Sequence, residues 1–331
     1  MEIAALPDPL EVRASTAAVM AAAAHVRIAP EAVDALAAQW VADGVQAPEW
    51  SSKYHFFDGS HRSANWLLAL DAVNYCFWSE DPTQRWEIDY KGERLNGYWA
   101  LAACMKRAVE EQGVKLWDAK RLAEIEQGDV YRIFRGSALS TIIPMVGDRL
   151  TCLREVGQVL LDKYDGQFAN VIHRAKGDAA HLAALIALEF PSFNDVSTYG
   201  DHEAYFYKRA QLLVTDLWGA FGGKGLGAIT GLESLTAFAD YKLPQILREH
   251  AVLEYSDELA AVVDARQIIP PGSVAEVEIR AATVQAVEAL RSSLATRGIE
   301  LHAFQVDWLL WQQAQSLQMQ RPYHLTRTIY Y

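Results

Sequence analysis

At 331 residues the chain is long enough for about two domains or one large one. A hydrophobic share of 51%, with ten tryptophans, 14 tyrosines and 11 phenylalanines, excludes a disordered or low-complexity chain. Thirty basic residues against 42 acidic ones leave a formal charge of −12, so a long nucleic acid, whose phosphates must be met by Lys and Arg, is not an expected partner.

The chain opens on Glu2, Asp8 and Glu11, without the basic start of a signal peptide. The alanine-rich stretch Ala17 to Val26 contains His25 and falls short of the roughly 18 apolar residues a membrane span needs, so no membrane association is expected. From Pro30 to Trp40, Val33, Leu36, Ala37 and Trp40 recur at helical spacing and predict an amphipathic helix. The run from Asn65 to Trp78 is apolar enough for a buried helix. Between 85 and 98, Trp86, Ile88 and Tyr90 alternate with Glu87 and Asp89 before the turn pair Lys91-Gly92, which predicts a small β-hairpin.

Beyond Tyr98 the helical period dominates, with helices expected near 99–111, 118–125, 147–163, 178–188, 203–219, 243–251, 256–264, 280–297 and 302–318. Pro144, Pro191, the Gly222 to Gly227 cluster and Pro270-Pro271-Gly272 break them. The chain therefore reads as mainly α: one compact catalytic unit over 1–331, with a possible sub-boundary near 136–147. Cys76, Cys104 and Cys152 are odd in number and set among apolar neighbours. They are expected as buried free thiols, which points to a reducing, cytoplasmic setting.

Several chemistries fail on spacing. Gly223-Lys224 looks like the end of a phosphate-binding loop, but Gly225 stands where Ser or Thr is required and Trp218 where the first glycine should be. His202-Glu203 is followed by Phe206 where a second zinc-binding His would stand, and the nine histidines are scattered, so no metal and no cofactor are expected. No Gly-x-Ser-x-Gly elbow occurs. What remains is three carboxylates among aromatics: Asp195 in Pro191-Ser192-Phe193-Asn194-Asp195, Asp240 in Phe238-Ala239-Asp240-Tyr241-Lys242, and Asp307 four residues before Trp311. Such surroundings suit a planar, donor-rich or cationic ligand. Each has a plainer alternative. Asp240 precedes Pro244 and would serve as a helix cap; Asp307 would pair with a basic residue while Trp308 and Trp311 fill core. Lys208 and Arg209 would form a solvated helix face, and His55 would be a core histidine.

The motifs Ala64-Asn65-Trp66, Asn74-Tyr75-Cys76-Phe77-Trp78-Ser79-Glu80, Gly97-Tyr98-Trp99, Phe190-Pro191-Ser192, Phe206-Tyr207-Lys208-Arg209-Ala210-Gln211, Phe238-Ala239-Asp240-Tyr241-Lys242-Leu243-Pro244-Gln245, Val277-Glu278-Ile279-Arg280 and Ile329-Tyr330-Tyr331 together resemble the queuosine salvage proteins, the queuosine 5′-phosphate N-glycosylase/hydrolase family. They run from about His55 to the last residue; the first 45 or so residues carry no matching motif.

The resemblance implies a helical fold similar to helix-hairpin-helix DNA glycosylases and hydrolysis of queuosine 5′-monophosphate to queuine and ribose 5-phosphate, feeding queuine salvage for tRNA modification. It makes Asp240 the catalytic carboxylate, stabilising positive charge on the ribose or trapping it covalently. Phe238 is then expected to stack on the base, Lys208, Arg209 and Lys242 to meet the phosphate, and Asp307 and Asp195 to receive the base's N–H groups or the secondary ammonium. His55 is expected as a donor, with Tyr241 and Trp311 completing the pocket. A 7-deazapurine lacks the N7 that an acid would protonate, so help for the leaving group must reach its carbonyl or pyrimidine-ring nitrogens. Two other functions fit the residues: a non-catalytic binding protein for a modified purine nucleotide, and a base-excision glycosylase acting on nucleic acid, which would need a basic strip.

Overall fold

The computed structural model describes residues 6–331; Glu2 lies outside them. In chain order the elements are α1 (Val12–Ala22), β1 (Val26–Ile28), α2 (Pro30–Ala42), α3 (His61–Ala72), β2 (Glu87–Tyr90), β3 (Glu93–Asn96), α4 (Gly97–Gln112), α5 (Ala119–Ala123), α6 (Gln127–Ile133), α7 (Val146–Tyr164), α8 (Phe168–Arg174), α9 (Ala179–Glu189), β4 (Val196–Tyr199), β5 (His202–Tyr205), α10 (Lys208–Ala220), α11 (Lys242–Glu249), β6 (Leu253–Tyr255), α12 (Asp257–Asp264), α13 (Val274–Ala295) and α14 (Ala303–Ser316). The protein is mainly α, and among the described residues the strands form three two-stranded antiparallel pairs: β1 with β6, β2 with β3 and β4 with β5.

The hairpin expected near 85–98 is β2–β3, in register from Glu87↔Asn96 to Tyr90↔Glu93. Its turn pair Lys91-Gly92 has positive φ at both residues, the geometry a tight hairpin demands. The other two pairs depart from the expectation. β4–β5 turns through Gly200, at φ 59, and takes up the start of the helix expected over 203–219, which begins only at Lys208. The buried helix expected over 65–78 also stops early, at Ala72, because two buried guanidiniums capture the carbonyls that would extend it. Arg209 donates to Asp71 O and Ala72 O, and Arg149 to the carbonyls of Val73, Tyr75 and Cys76. The segment after α3 is thereby held as extended chain whose side chains reach the site.

Apolar residues gather in two cores, one centred on α3, α4 and α7 to α10, the other on α2, α11, α13, α14 and the β1–β6 pair. The long helix α13 joins them, giving Val277, Ala281 and Val284 to the first and Ile279, Ala282 and Ala286 to the second. Along 136–147 the chain bonds back to the neighbourhood of β2, Ser137 N donating to Glu87 O and Thr141 N to Arg85 O. Cys76, Cys104 and Cys152 are buried and unpaired. Among the described residues no helix is long and apolar enough to cross a membrane.

Candidate active site

At the seam of the two cores lies a cavity of about 250 Å³. Helical periodicity builds much of its wall. Lys208, Leu212 and Asp216 stand four residues apart on one face of α10, and Asp307, Trp308, Trp311, Gln312 and Gln315 share a face of α14. The extended segment after α3 adds Asn74, Tyr75 and Phe77, and the loop before α11 adds Phe238, Asp240 and Tyr241.

Asp240 caps a helix and lines the cavity at once. Its Oδ1 accepts from the backbone N–H groups of Lys242 (2.7 Å) and Leu243 (2.9 Å), capping α11 as an Asp at this place should. Its Oδ2 accepts from no described residue, and the side chain lines the cavity. Asp307 is built alike: Oδ2 accepts from Phe238 N at 2.7 Å, which fixes the Phe238 backbone and leaves Oδ1 unengaged. Lys208 is 6% exposed, yet its Nζ donates to no described side chain and stands among Asp240, Asp71, Asp307 and Asp216.

Electrostatics separate these groups. Burial raises the carboxyl of Asp240, but the Lys208 ammonium and the two backbone donors pull the other way. Burial drives Asp307 well above the ordinary carboxylate range, with only the Phe238 N–H and Lys208 in opposition and Asp240 adding to the rise. Asp216 is pushed up to about 7 by burial, and Asp71 is raised well above the ordinary carboxylate range by burial and by the nearness of the Asp216 carboxyl. Lys208 is lowered by burial, against the pull of Asp240, Asp71 and Asp307. Donors and the ammonium favour the charged form most strongly at Asp240.

The cavity has two unlike ends. At one, Trp50, His55, Tyr98, Trp99 and Trp311 form an aromatic cluster, with centroids 4.5 Å apart for Trp50–His55 and 5.4 Å for Trp99–Trp311. Trp50 reaches it because Gly219 of α10 has no side chain; a Cβ there would lie 2.6 Å from Trp50 Cβ. At the other end, Lys242 sits over the ring of Tyr323 at 5.0 Å, Tyr241 packs on that ring at 4.9 Å, and Arg85 is near enough to lower the Lys242 ammonium.

Of the residues singled out in the sequence, His55, Lys208, Phe238, Asp240, Tyr241, Lys242, Asp307 and Trp311 line this one cavity. Asp195 and Arg209 do not. Asp195 is 1% exposed and holds the guanidinium of Arg280 with both oxygens, at 2.8 and 2.6 Å. Its Oδ2 also accepts Lys208 N and its carbonyl accepts the N–H groups of Phe206 and Tyr207, so it organises the start of α10 from outside the cavity. Arg209 spends its guanidinium on the carbonyls of Asp71, Ala72 and Ser192 and stacks on Phe193 and Tyr75. His55 is in the wall, but both ring nitrogens are engaged, Nδ1 with Ser51 O at 2.8 Å and Nε2 with the Tyr98 hydroxyl at 2.7 Å, which leaves no N–H for a ligand.

Sequence reasoning passed over Asp71, Asp216, Trp50, Tyr98 and Arg85. Two signals were present. Asp71 is the lone charge in the apolar run 65–78, and Asp216 repeats the Lys208–Leu212 interval on α10.

The family model described as queuosine salvage protein matches residues 54–331. A protein of Sphaerobacter thermophilus named queuosine 5′-phosphate N-glycosylase/hydrolase is 48% identical over 325 residues, covering 98% of each chain. Proteins of the same name from Mus musculus and Schizosaccharomyces pombe are 34% and 30% identical, over 92% and 86% of each chain.

Proposed function

The chain belongs to the queuosine salvage protein family, and from that premise we propose that it hydrolyses the N-glycosidic bond of queuosine 5′-phosphate, releasing queuine and ribose 5-phosphate, with Asp240 at the reacting carbon. The observation that carries the role of Asp240 is its divided carboxylate: Oδ1 is locked by two backbone donors while Oδ2 faces the cavity without a partner. Departure of the base leaves positive charge on C1′ and the ring oxygen, and a fixed carboxylate oxygen beneath that carbon stabilises it without reorganisation. Burial raises Asp240, but the backbone donors and the adjacent Lys208 favour its charged form, while burial holds Asp307 and Asp216 toward the neutral acid.

The unlike ends of the cavity orient the substrate. The phosphate belongs at Lys242 and Arg85, the ribose between Asp240 and Lys208, and the base against Phe238 and toward the Trp99–Trp311 cluster, with Asp307 Oδ1 available to its N–H groups. Arg209 has no part in holding the phosphate, because it does not line the cavity and both its terminal nitrogens donate to carbonyls.

Incubation with queuosine 5′-phosphate, followed by mass detection of free queuine, tests the activity; bound but uncleaved nucleotide would favour a binding protein. The nucleotide should be turned over faster than the nucleoside. Lys242→Met should erode that preference by about 10- to 100-fold, the scale of one charge-assisted hydrogen bond. Lys208→Met should slow both substrates alike. An unchanged preference in Lys242→Met would remove the phosphate from that end of the cavity.

Among the described residues no three His, Cys, Asp or Glu side chains are grouped to hold a metal ion, and carboxylate-assisted cleavage requires no Lewis acid. Activity is expected to survive prolonged EDTA treatment; loss restored by a single metal would contradict the mechanism.

A further inference from the structure

Asp216, so far only a polar group of the cavity wall, and Asp71 behind it have surroundings that bear on where a proton sits. Ser51 O is an acceptor only, so the His55 Nδ1 facing it at 2.8 Å carries the hydrogen. Buried among Trp50, Trp66, Tyr98 and Trp99, with burial pushing its pKa down to about 3, the ring is neutral and Nε2 is an acceptor. The 2.7 Å bond to Nε2 therefore consumes the single hydroxyl proton of Tyr98. Tyr98 Oη lies 3.4 Å from Asp216 Oδ2, longer than an ordinary O–H···O bond, and with its proton committed to His55 it gives a charge on that oxygen little support. Among the described residues Oδ2 has no other donor, a setting that favours the protonated carboxyl. Asp216 Oδ1 accepts Trp50 Nε1–H at 3.0 Å, as the carbonyl oxygen of a neutral acid does. Behind it, Asp71 is fully buried, with Oδ1 accepting from Asn74 and Oδ2 without a partner; two such neighbouring carboxyls do not both ionise.

We propose that Asp216 is a second catalytic residue, a neutral carboxylic acid whose Oδ2–H is transferred to the departing base. The proposal rests on the glycosylase function and adds the acid to it. In the step, the C1′–N bond breaks and its electron pair passes into the base. The Asp216 O–H bond breaks and its proton goes to a carbonyl or pyrimidine-ring nitrogen of the base, where a 7-deazapurine can accept it. Water then bonds to C1′ through its oxygen, and the proton it sheds restores the carboxyl, so nucleotide and water become free base and ribose 5-phosphate. Asp240 stays charged and Asp216 stays protonated because their surroundings differ, and a carboxyl near 7 is matched to proton transfer at neutral pH. The titratable groups beside it are Asp71 of α3, Lys208 of its own helix and Tyr98 of α4, and Asp307 of α14 with His55 and Glu49 of the segment before α3 line the same cavity.

The test compares two leaving groups in wild type, Asp216→Asn and Asp240→Asn. The natural base needs a proton; the nitrophenolate of p-nitrophenyl β-ribofuranoside 5-phosphate does not. Asp216→Asn should cleave queuosine 5′-phosphate ~10²- to 10³-fold more slowly but the nitrophenyl substrate within about fivefold of wild type, whereas Asp240→Asn should lose both. Equal losses on both substrates in Asp216→Asn, or no loss on the natural one, would overturn the acid role. The pH profile decides independently, without any variant. Wild-type kcat/KM on the natural substrate should fall as pH rises above about 7, where the acid loses its proton; a profile flat to pH 9 overturns the proposal, as does an alkaline limb that persists in Asp216→Asn. If wild type releases no queuine at all, it is the glycosylase function that fails, and a nitrophenyl rate insensitive to Asp216 stays readable beside it.

Discussion

Asp240→Asn is expected to fold and to bind queuosine 5′-phosphate while cleaving it at least ~10²- to 10³-fold more slowly, the scale for removing one electrostatic contributor to a transition state. The substitution separates two jobs that the native side chain does at once. Asn keeps an oxygen for the N–H groups of Lys242 and Leu243, and Asn and Asp are equivalent caps, so the start of α11 and the melting temperature should hardly move. What changes is the other branch. An amide N–H₂ replaces the unpartnered Oδ2, turning a negative oxygen toward the developing cation into a donor. Near-normal turnover by the folded variant would reduce Asp240 to a cap. Retained binding with lost turnover would set the protein apart from a carrier, which has no turnover to lose.

Local pattern revealed much of this site, and long-range pairing hid the rest. The Phe238-Ala239-Asp240-Tyr241 motif and the Asp307–Trp311 interval lie within single stretches of chain, and both reach the cavity. The β2–β3 hairpin was legible because Lys91-Gly92 can take positive φ at both positions. The β1–β6 pair was not, since Val26 meets Tyr255 across most of the sequence and three-residue strands carry almost no periodicity. The end of α3 at Ala72 depends on Arg209 and Arg149, far away in sequence, drawing out its carbonyls. The same blindness applied to function. Asp195 looked like a ligand-binding carboxylate because it is set among aromatic residues; its partner, Arg280, is 85 residues away. Asp216 stands in no local motif, because its surroundings come from Tyr98, His55 and Asp71, which arrive from two other helices and a loop.

Asp195→Ala should destabilise the protein by about 3–5 kcal/mol, the cost of leaving a buried charge without its partner. Asp195 and Arg280 are each 1% exposed and joined by two hydrogen bonds. The guanidinium is also sandwiched between Phe206 at 3.9 Å and Tyr331 at 4.6 Å, a slot that water cannot refill. Glu276 lies 3.7 Å from Arg280 but also accepts the Tyr331 hydroxyl, so it offsets only part of the loss. Arg280→Met, which strands the Asp195 charge, should cost a similar amount. The double variant Asp195→Ala/Arg280→Met should be less destabilised than the sum of the two by at least about 1 kcal/mol, because a pair removed together leaves no stranded charge. Urea midpoints of the four proteins measure this coupling. Additive losses, or a single-variant loss under about 1 kcal/mol, would mean that the pair does not hold the start of α10. Since Asp195 Oδ2 also accepts Lys208 N, the folded fraction of Asp195→Ala should show a lower kcat with a KM for the nucleotide close to wild type. A residue that bound the base itself would instead raise KM, and that result would return Asp195 to the ligand-binding role its sequence setting first implied.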